Sequence, residues 1–536
     1  MNKTKTLFLI LIVLLSLFFL PSCKITAPTG IATDTWYISD AQNIAVRFEA
    51  DGRGEFVALN QAVAAPEKLR HRQSRNKSTL RLSGRPNLKG RMAVYHDRFY
   101  LTSDDERIEF RQYYTRAFPR GPFRYTDEVF SHTEMVEEQY GSAPGFYSSK
   151  TIEKRENKSY NQVLFDVAEG ITTNLLRREI PLHLDIYHPL GDIQANRPLI
   201  VLLHAGAFIA GDKRDELVSK LAEDYAKRGF VVASVNYRLG YIFLPGRYSN
   251  LERAIYSAMQ DVRAALRYLS HHHERLGIDP DLVFLGGHSA GGILSLKTTF
   301  MDEPEVWPSV QGSVLRMQPD LGCLDCSTND LHGPFSIKGV INMWGAVDDI
   351  NIIKRHNQVP ILSIHGDADL VVPFGYDFPF TNVSARASAF FSKRLHGSAS
   401  ILSHTRSLGI DHTLYTFEGL GHEPHFDDNH ELIPENYAII HDLILDFVNK
   451  LIILPMDRFR GPLTITPFDP APEYHFETSN YDAYYFQCDD CIIVNETGNF
   501  ARVVWLSEKN EYQLRVSGAG PAGQVITDTL NVQLVP

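Results

Sequence analysis

Leu282-Val283-Phe284-Leu285-Gly286-Gly287-His288-Ser289-Ala290-Gly291-Gly292 decides the fold of this 536-residue chain. The stretch runs from an apolar strand, through the pentapeptide Gly287-His288-Ser289-Ala290-Gly291, into an apolar helical run at about 290–300. A serine on so sharp a strand-to-helix turn must adopt a strained backbone, and the flanking glycines leave room for the neighbouring chain. Its hydroxyl then projects at the carboxyl edge of a sheet, over a helix N-terminus that favours developing negative charge. The same alternation continues outward. Leu199 to His204, Val231 to Val235, Gly339 to Met343, Ile361 to His365 and Leu414 to Phe417 read as further buried strands. Helices are predicted at about 214–228, 251–270 and 434–451. Continuous apolar strands separated by helices specify a mostly parallel sheet covered on both faces.

A serine nucleophile needs a base, and the base needs an acid to orient it. The strand ending at His365 runs into Gly366-Asp367-Ala368-Asp369-Leu370-Val371-Val372-Pro373, and the strand ending at Phe417 runs into Glu418-Gly419-Leu420-Gly421-His422. Both polar segments lie just past the ends of predicted parallel strands, where open α/β sheets place their sites. In this order the residues resemble an α/β-hydrolase of the carboxylesterase and lipase kind. "HGDADLVVP" is similar to that superfamily's acid loop and "GLGH" to its histidine loop. The resemblance implies a catalytic set of Ser289, Asp369 and His422, with Asp367 as the alternative acid.

Leu203-His204-Ala205-Gly206-Ala207-Phe208 resembles the HGGG motif of esterases, with alanine at 205 and 207. By position, the backbone N–H groups of Gly206, Ala207 and Ala290 form the expected oxyanion hole, a role that does not depend on the side chain. His204 is expected to be structural. Val235-Asn236-Tyr237-Arg238-Leu239 is similar to the "NYRL" segment of carboxylesterases and feruloyl-esterase-like hydrolases. Leu184-Asp185-Ile186-Tyr187-His188-Pro189 is similar to their opening strand, and Asp261-Val262-Arg263-Ala264 to a helical D-x-x-A pattern in which Asp261 is structural. The insertion at about 301–335 is expected to form a short lid, and Trp344 either lines the pocket or packs in the core.

The remainder reads as flanking modules. Lys3 and Lys5 precede the apolar run Leu7 to Leu20, broken only by Ser16. As a helix this run rises about 21 Å, short of a hydrocarbon core of roughly 30 Å. It therefore reads as a signal peptide over 1–23. Leu20-Pro21-Ser22-Cys23 resembles a bacterial lipobox, which implies lipidation of Cys23 and a lipid anchor in the cell envelope. Period-two alternation at Ile44 to Phe48, Gly54 to Val57 and Phe99 to Thr102 predicts an antiparallel barrel or sandwich over 30–115. Its hairpin order resembles the small lipocalin-like domains of bacterial lipoproteins, and that resemblance implies a small antiparallel β-barrel. A linker is expected over 116–150, the hydrolase over 151–455 and a small β-sandwich over 456–536.

Of the five cysteines, Cys323/Cys326 and Cys488/Cys491 form two C-x-x-C pairs. They suit disulfides, local or between the pairs, or one four-thiolate zinc site. His271, His272 and His273 occupy successive faces of a helix end and cannot converge on one ion. No metal or cofactor is expected. Lys plus Arg is 53 against 64 Asp plus Glu, a net charge of -11 that argues against nucleic acid as a partner. The expected activity is hydrolysis of carboxylic esters, small or polymer-linked, through an acyl-serine. Polyester cleavage or peptidase chemistry on the same fold, or a surface glycan-binding lipoprotein with a vestigial hydrolase core, are the alternatives.

Overall fold

The computed structural model describes residues 31–33, 35–74, 77–86, 88–95, 97–103, 106–113, 119–145, 178–241, 248–312, 318–382, 393–427, 429–452, 459–476, 483–497 and 500–535. The signal-like segment 1–23, with Cys23, lies outside them. The described residues fall into two units. One takes those of 1–119, 455–520 and 526–536, and the other those of 120–454 with 521–525.

In the first unit, eight strands close into an antiparallel barrel: β1 (Trp36–Ser39), β2 (Ile44–Phe48), β3 (Arg53–Ala58), β4 (Glu67–Ser74), β5 (Lys77–Leu82), β6 (Leu88–Tyr95), β7 (Arg98–Thr102) and β8 (Arg107–Gln112). Each pairs with the next, and β1 closes on β8. Alternate residues point inward and fill the interior; Phe99 stacks on Phe110 at 4.6 Å, and Phe48 meets Phe99 edge-on. Two four-stranded sheets follow, built from strands between Phe459 and Leu534 and sharing a core around Trp505, Tyr474, Phe486 and Leu514. Expected as separate domains, barrel and C-terminal sheets instead form one unit. The cause is a second apolar stripe: Ile38, Ala45 and Val57 are buried with Ile492, Val494 and Val504 rather than with the barrel core. Trp505 also exchanges backbone hydrogen bonds with Ala62 and Ala64 at 2.9 Å each. Cys488 and Cys491 are paired across the turn between two of these strands.

The second unit holds an eight-stranded sheet. Its strands are β9 (Thr133–Gly145), β10 (Arg178–Pro189), β11 (Arg197–Leu203), β12 (Val231–Val235), β13 (Ile278–His288), β14 (Ile337–Met343), β15 (Ile361–Gly366) and β16 (His412–Phe417), in the order β16-β15-β14-β13-β11-β12-β10-β9. The strands from β16 to β12 are parallel; at one edge β10 runs antiparallel to β12, and β9 runs antiparallel to β10. All seven residues of β11 and all five of β12 are buried, which explains their unbroken apolar reading. Helices α1 (Glu216–Ala226) and α5 (Pro434–Ile452) cover one face; α2 (Tyr248–His271), α3 (Ala290–Phe300) and α4 (Ser398–Leu408) cover the other. This is the α/β-hydrolase arrangement.

Part of the expected linker at 116–150 is strand. Residues 133–145 pair with β10 along its full length. Only Tyr140 and Ala143 of this edge strand are buried, so its sequence carries little apolar alternation.

Candidate active site

The turn that carries Ser289 is built from close backbone approach. Ser289 lies between β13 and α3 at φ 55° and ψ −116°, a conformation that costs about 1–3 kcal/mol. Its N–H donates to Met343 O at 2.9 Å, tying the turn to the end of β14. A Cβ on Gly291 would lie 2.1 Å from Leu203 O, and one on Gly287 would lie 2.6 Å from the same atom. Both glycines are therefore required by the neighbouring strand β11.

Ser289 Oγ is 2.9 Å from His422 Nε2, and His422 Nδ1 is 2.7 Å from Asp369 Oδ2. The carboxylate accepts, so the His422 proton sits on Nδ1 and Nε2 is free to take the serine proton. Asp369 Oδ1 accepts from the N–H groups of Val371 (2.7 Å) and Val372 (3.0 Å). Burial raises this carboxyl, but hydrogen bonds from His365 and His422 outweigh it and hold Asp369 well below the usual carboxylate range. The alternative acid, Asp367, lies elsewhere: its Oδ1 accepts from Gly419 N–H at 2.6 Å, joining the acid loop to the histidine loop.

The segment after β11 emerges beside this turn, since the Gly291 Cβ position also falls 2.8 Å from His204 O. Gly206, Ala207 and Phe208 all have positive φ (116°, 53° and 60°). At Gly206 a side chain would meet Ala210 O at 1.9 Å, so glycine is required there, while Ala207 holds a left-handed φ that strains an alanine. Among the described residues, the N–H groups of Gly206 and Ala207 donate to no protein acceptor. Ala290 is the first residue of α3, where N–H groups lack intrahelical partners.

The motifs read as family-like brace this loop. Tyr237 donates to His204 O at 2.8 Å and stacks on the His204 ring at 4.2 Å. Asn236 Oδ1 accepts from Lys213 N–H (2.6 Å), and Lys213 Nζ reaches Asp185 at 2.6 Å. Arg238 is paired with buried Asp261 at 2.8 Å. His204 is fully buried, and its Nδ1 donates to Ala205 O at 2.7 Å; burial pushes its pKa down, so it is a neutral prop. His288 Nε2 lies 3.1 Å from Asp215, the residue that caps α1.

The described part of the 301–335 insertion beyond 317 is a strap along α2, not a lid. Gln260 donates to Leu321 O (2.8 Å) and Cys323 O (2.9 Å), Arg267 meets Asp325 (2.7 Å), and Asn329 donates to Ala264 O (2.9 Å) and Tyr140 O (2.8 Å). Buried polar side chains on α2 need carbonyl and carboxylate partners, and the strap supplies them. Cys323 is paired with Cys326 within it. Trp344 is a core residue, 0% exposed, stacked on His425 at 5.1 Å and edge-on to His422 at 6.5 Å. Sequence reasoning missed His365, which lies against Asp369; a histidine four residues before an aspartate carries no motif of its own.

Residues 184–358 match the BD-FAE family model. The chain is 31% identical over 134 residues to lipase 1 of Geotrichum candidum, covering 24% of this chain and 23% of the lipase. It is 33% identical over 135 residues to carboxylesterase patB of Penicillium expansum (22% and 24%). It is 30% identical over 224 residues to a probable carboxylic ester hydrolase, LipM, of Mycobacterium tuberculosis (40% and 44%). The chain thus spans less than half the length of each of these curated relatives. Among solved structures, Thermogutta terrifontis esterase 2 phosphorylated by paraoxon aligns with a TM-score of 0.35 at 20% identity, covering 51% of this chain and 89% of that one.

Proposed function

We propose that the second unit hydrolyses carboxylic esters through an acyl-serine intermediate. The observation that carries this reading is the Ser289–His422–Asp369 chain, with links of 2.9 and 2.7 Å, at the carboxyl ends of β13, β15 and β16. Ser289 Oγ attacks the ester carbonyl while His422 Nε2 takes its proton. The tetrahedral oxyanion is stabilised by the N–H groups of Gly206, Ala207 and Ala290, each donor contributing roughly a hundred- to a thousandfold in turnover. His422 then protonates the leaving alcohol, the acyl-serine forms, and water repeats the cycle in reverse. Asp369 holds the imidazole tautomer and stabilises its cation. The BD-FAE match and the lipase and carboxylesterase names of the relatives support ester rather than amide substrates.

The test is hydrolysis of p-nitrophenyl esters from acetyl to long acyl chains, beside Ser289→Ala. Turnover lost in the variant supports the reading, and the chain-length profile defines the acyl pocket. Equal turnover in both proteins would refute it.

We further infer that the protein is a lipoprotein of the bacterial envelope, anchored through Cys23. The apolar run Leu7 to Leu20 and the lipobox-like Leu20-Pro21-Ser22-Cys23 support this. Incorporation of labelled palmitate that disappears in Cys23→Ser is the expected result; persistence of label in that variant would contradict it. The up-and-down order of the barrel supports a lipocalin-like module, and its filled interior favours docking or spacing over ligand storage.

A further inference from the structure

Among the buried groups that the ester mechanism leaves unused, His365 stands against the acid. It is 0% exposed near the end of β15. Its Nε2 lies 3.2 Å from Asp369 Oδ2 and 3.1 Å from Val372 O, and its Nδ1 lies 2.8 Å from Ser398 Oγ. Both neighbours of Nε2 are acceptors, so the proton sits on Nε2 and Nδ1 must accept.

The neighbouring groups enforce that choice. Gly345 N–H donates to Asn342 Oδ1 at 3.0 Å, which fixes the amide orientation. One hydrogen of Asn342 Nδ2 then goes to Ser398 Oγ (3.2 Å) and the other to Ser363 Oγ (3.1 Å). Ser398 keeps its own hydrogen for His365 Nδ1. Ser363 directs its hydrogen to His412 Nε2 (2.9 Å), and His412 Nδ1 donates to Thr405 Oγ1 (2.9 Å), which donates to Leu402 O (3.0 Å). One assignment satisfies every group, with both imidazoles neutral. Burial, aided by Arg406, pushes His412 down to about 4, in keeping with that assignment.

We propose that His365 is a positioning residue for Asp369: locked by Asn342 and Ser398 as the Nε2–H tautomer, it donates to Asp369 Oδ2 and holds that oxygen toward His422. Without it, among the described residues Oδ2 is held by His422 alone, a loop residue whose side chain is partly exposed. The backbone donors at Oδ1 would then leave the carboxylate free to tilt. This inference rests on the ester-hydrolase reading, because it concerns the acid of that mechanism.

The experiment uses the full chain with His365→Phe, His365→Gln and Ser398→Ala, measuring kcat and KM on p-nitrophenyl acetate and the rate of fluorophosphonate labelling at Ser289. Glutamine can donate to Asp369 and accept from Ser398; phenylalanine fills the space without a donor. Loss of geometry at a catalytic group typically costs up to about a hundredfold. The expected result is therefore a roughly ten- to hundredfold lower kcat for His365→Phe with KM little changed, recovery in His365→Gln, and an intermediate loss in Ser398→Ala. A folded His365→Phe with wild-type kcat, or a His365→Gln as impaired as it, overturns the proposal. Selective 15N-histidine NMR of the wild type gives a readout independent of activity and of whether variants fold. Protonated Nε2 with bare Nδ1 at His365 is expected, and the opposite tautomer overturns the proposal. Absence of turnover and labelling in the wild type would instead refute the ester-hydrolase reading itself.

Discussion

Ser289 at φ 55° and Gly291 with Leu203 O 2.1 Å from its Cβ position are two halves of one constraint. The turn must be tight for the hydroxyl to project, and only glycine tolerates the strand beside it. Gly291→Ala should cost about 3 kcal/mol, since the clash is with backbone. A lower urea midpoint with unchanged slope is expected; an unchanged midpoint would show that β11 yields. Asp369→Asn should preserve the fold but offer His422 the wrong partner, lowering kcat by about ten-thousandfold with little change in KM. Steady-state kinetics would check this, and a loss below tenfold would assign the acid elsewhere. Ser289, His422 and the acid loop were legible because each sits in a motif just past an apolar strand. The choice between Asp367 and Asp369 came from resemblance, and only geometry separates Gly419 N–H from His422 as their partners. The tautomer-locking set around His365 was illegible: Asn342, Ser363, His365, Ser398 and His412 come from β14, β15, β16 and α4, and no spacing in the chain joins them.

At the scale of elements, the parallel strands were legible as continuous apolar runs, whereas β9 and α4 were not. Glu134, Glu137 and Glu138 mark β9 as an exposed edge whose pairing is dictated by β10. In α4 only Ser398, Ile401 and Thr405 are buried, too few for a helical stripe. The strap shows the same limit, because its partners on α2 are Gln260, Ala264 and Arg267 rather than an apolar patch. Its disulfide spans a sequence separation of 3, a short loop whose closure constrains the unfolded chain by about 2 kcal/mol. The Cys323→Ser/Cys326→Ser protein should therefore melt a little lower and hydrolyse small esters as fast as the parent. A tenfold loss of turnover in a folded variant would restore a lid-like role. The network linking β15, β16 and α4 also predicts a pH response. The folded state keeps His412 neutral down to about pH 4, whereas an unfolded histidine binds its proton near 6.5. Between these values the unfolded state holds more protons, so stability falls as pH drops from about 6.5 to about 4. His412→Gln should flatten that slope in pH-dependent urea unfolding; an identical slope would show that His412 binds its proton as readily in the folded state as in the unfolded one.

At the scale of the molecule, barrel and C-terminal sheets were each legible as β structure from alternation and turns. Their union was not, because Ile38, Ala45 and Val57 read as ordinary strand residues until Ile492, Val494 and Val504 are seen against them. Val504→Asp would bury a carboxylate in that shared core, which exceeds what a marginal fold withstands. Hydrogen exchange should then show β1–β3 and the C-terminal strands losing protection together, while ester turnover by the other unit persists. Retained protection in the barrel would show that it folds alone. The central claim concerns that other unit, and a fluorophosphonate tests it most directly. Intact-mass and peptide analysis of the labelled full chain should show one adduct, on the peptide containing Ser289, and none in Ser289→Ala. An unlabelled wild type, or equal labelling of the variant, would contradict the account.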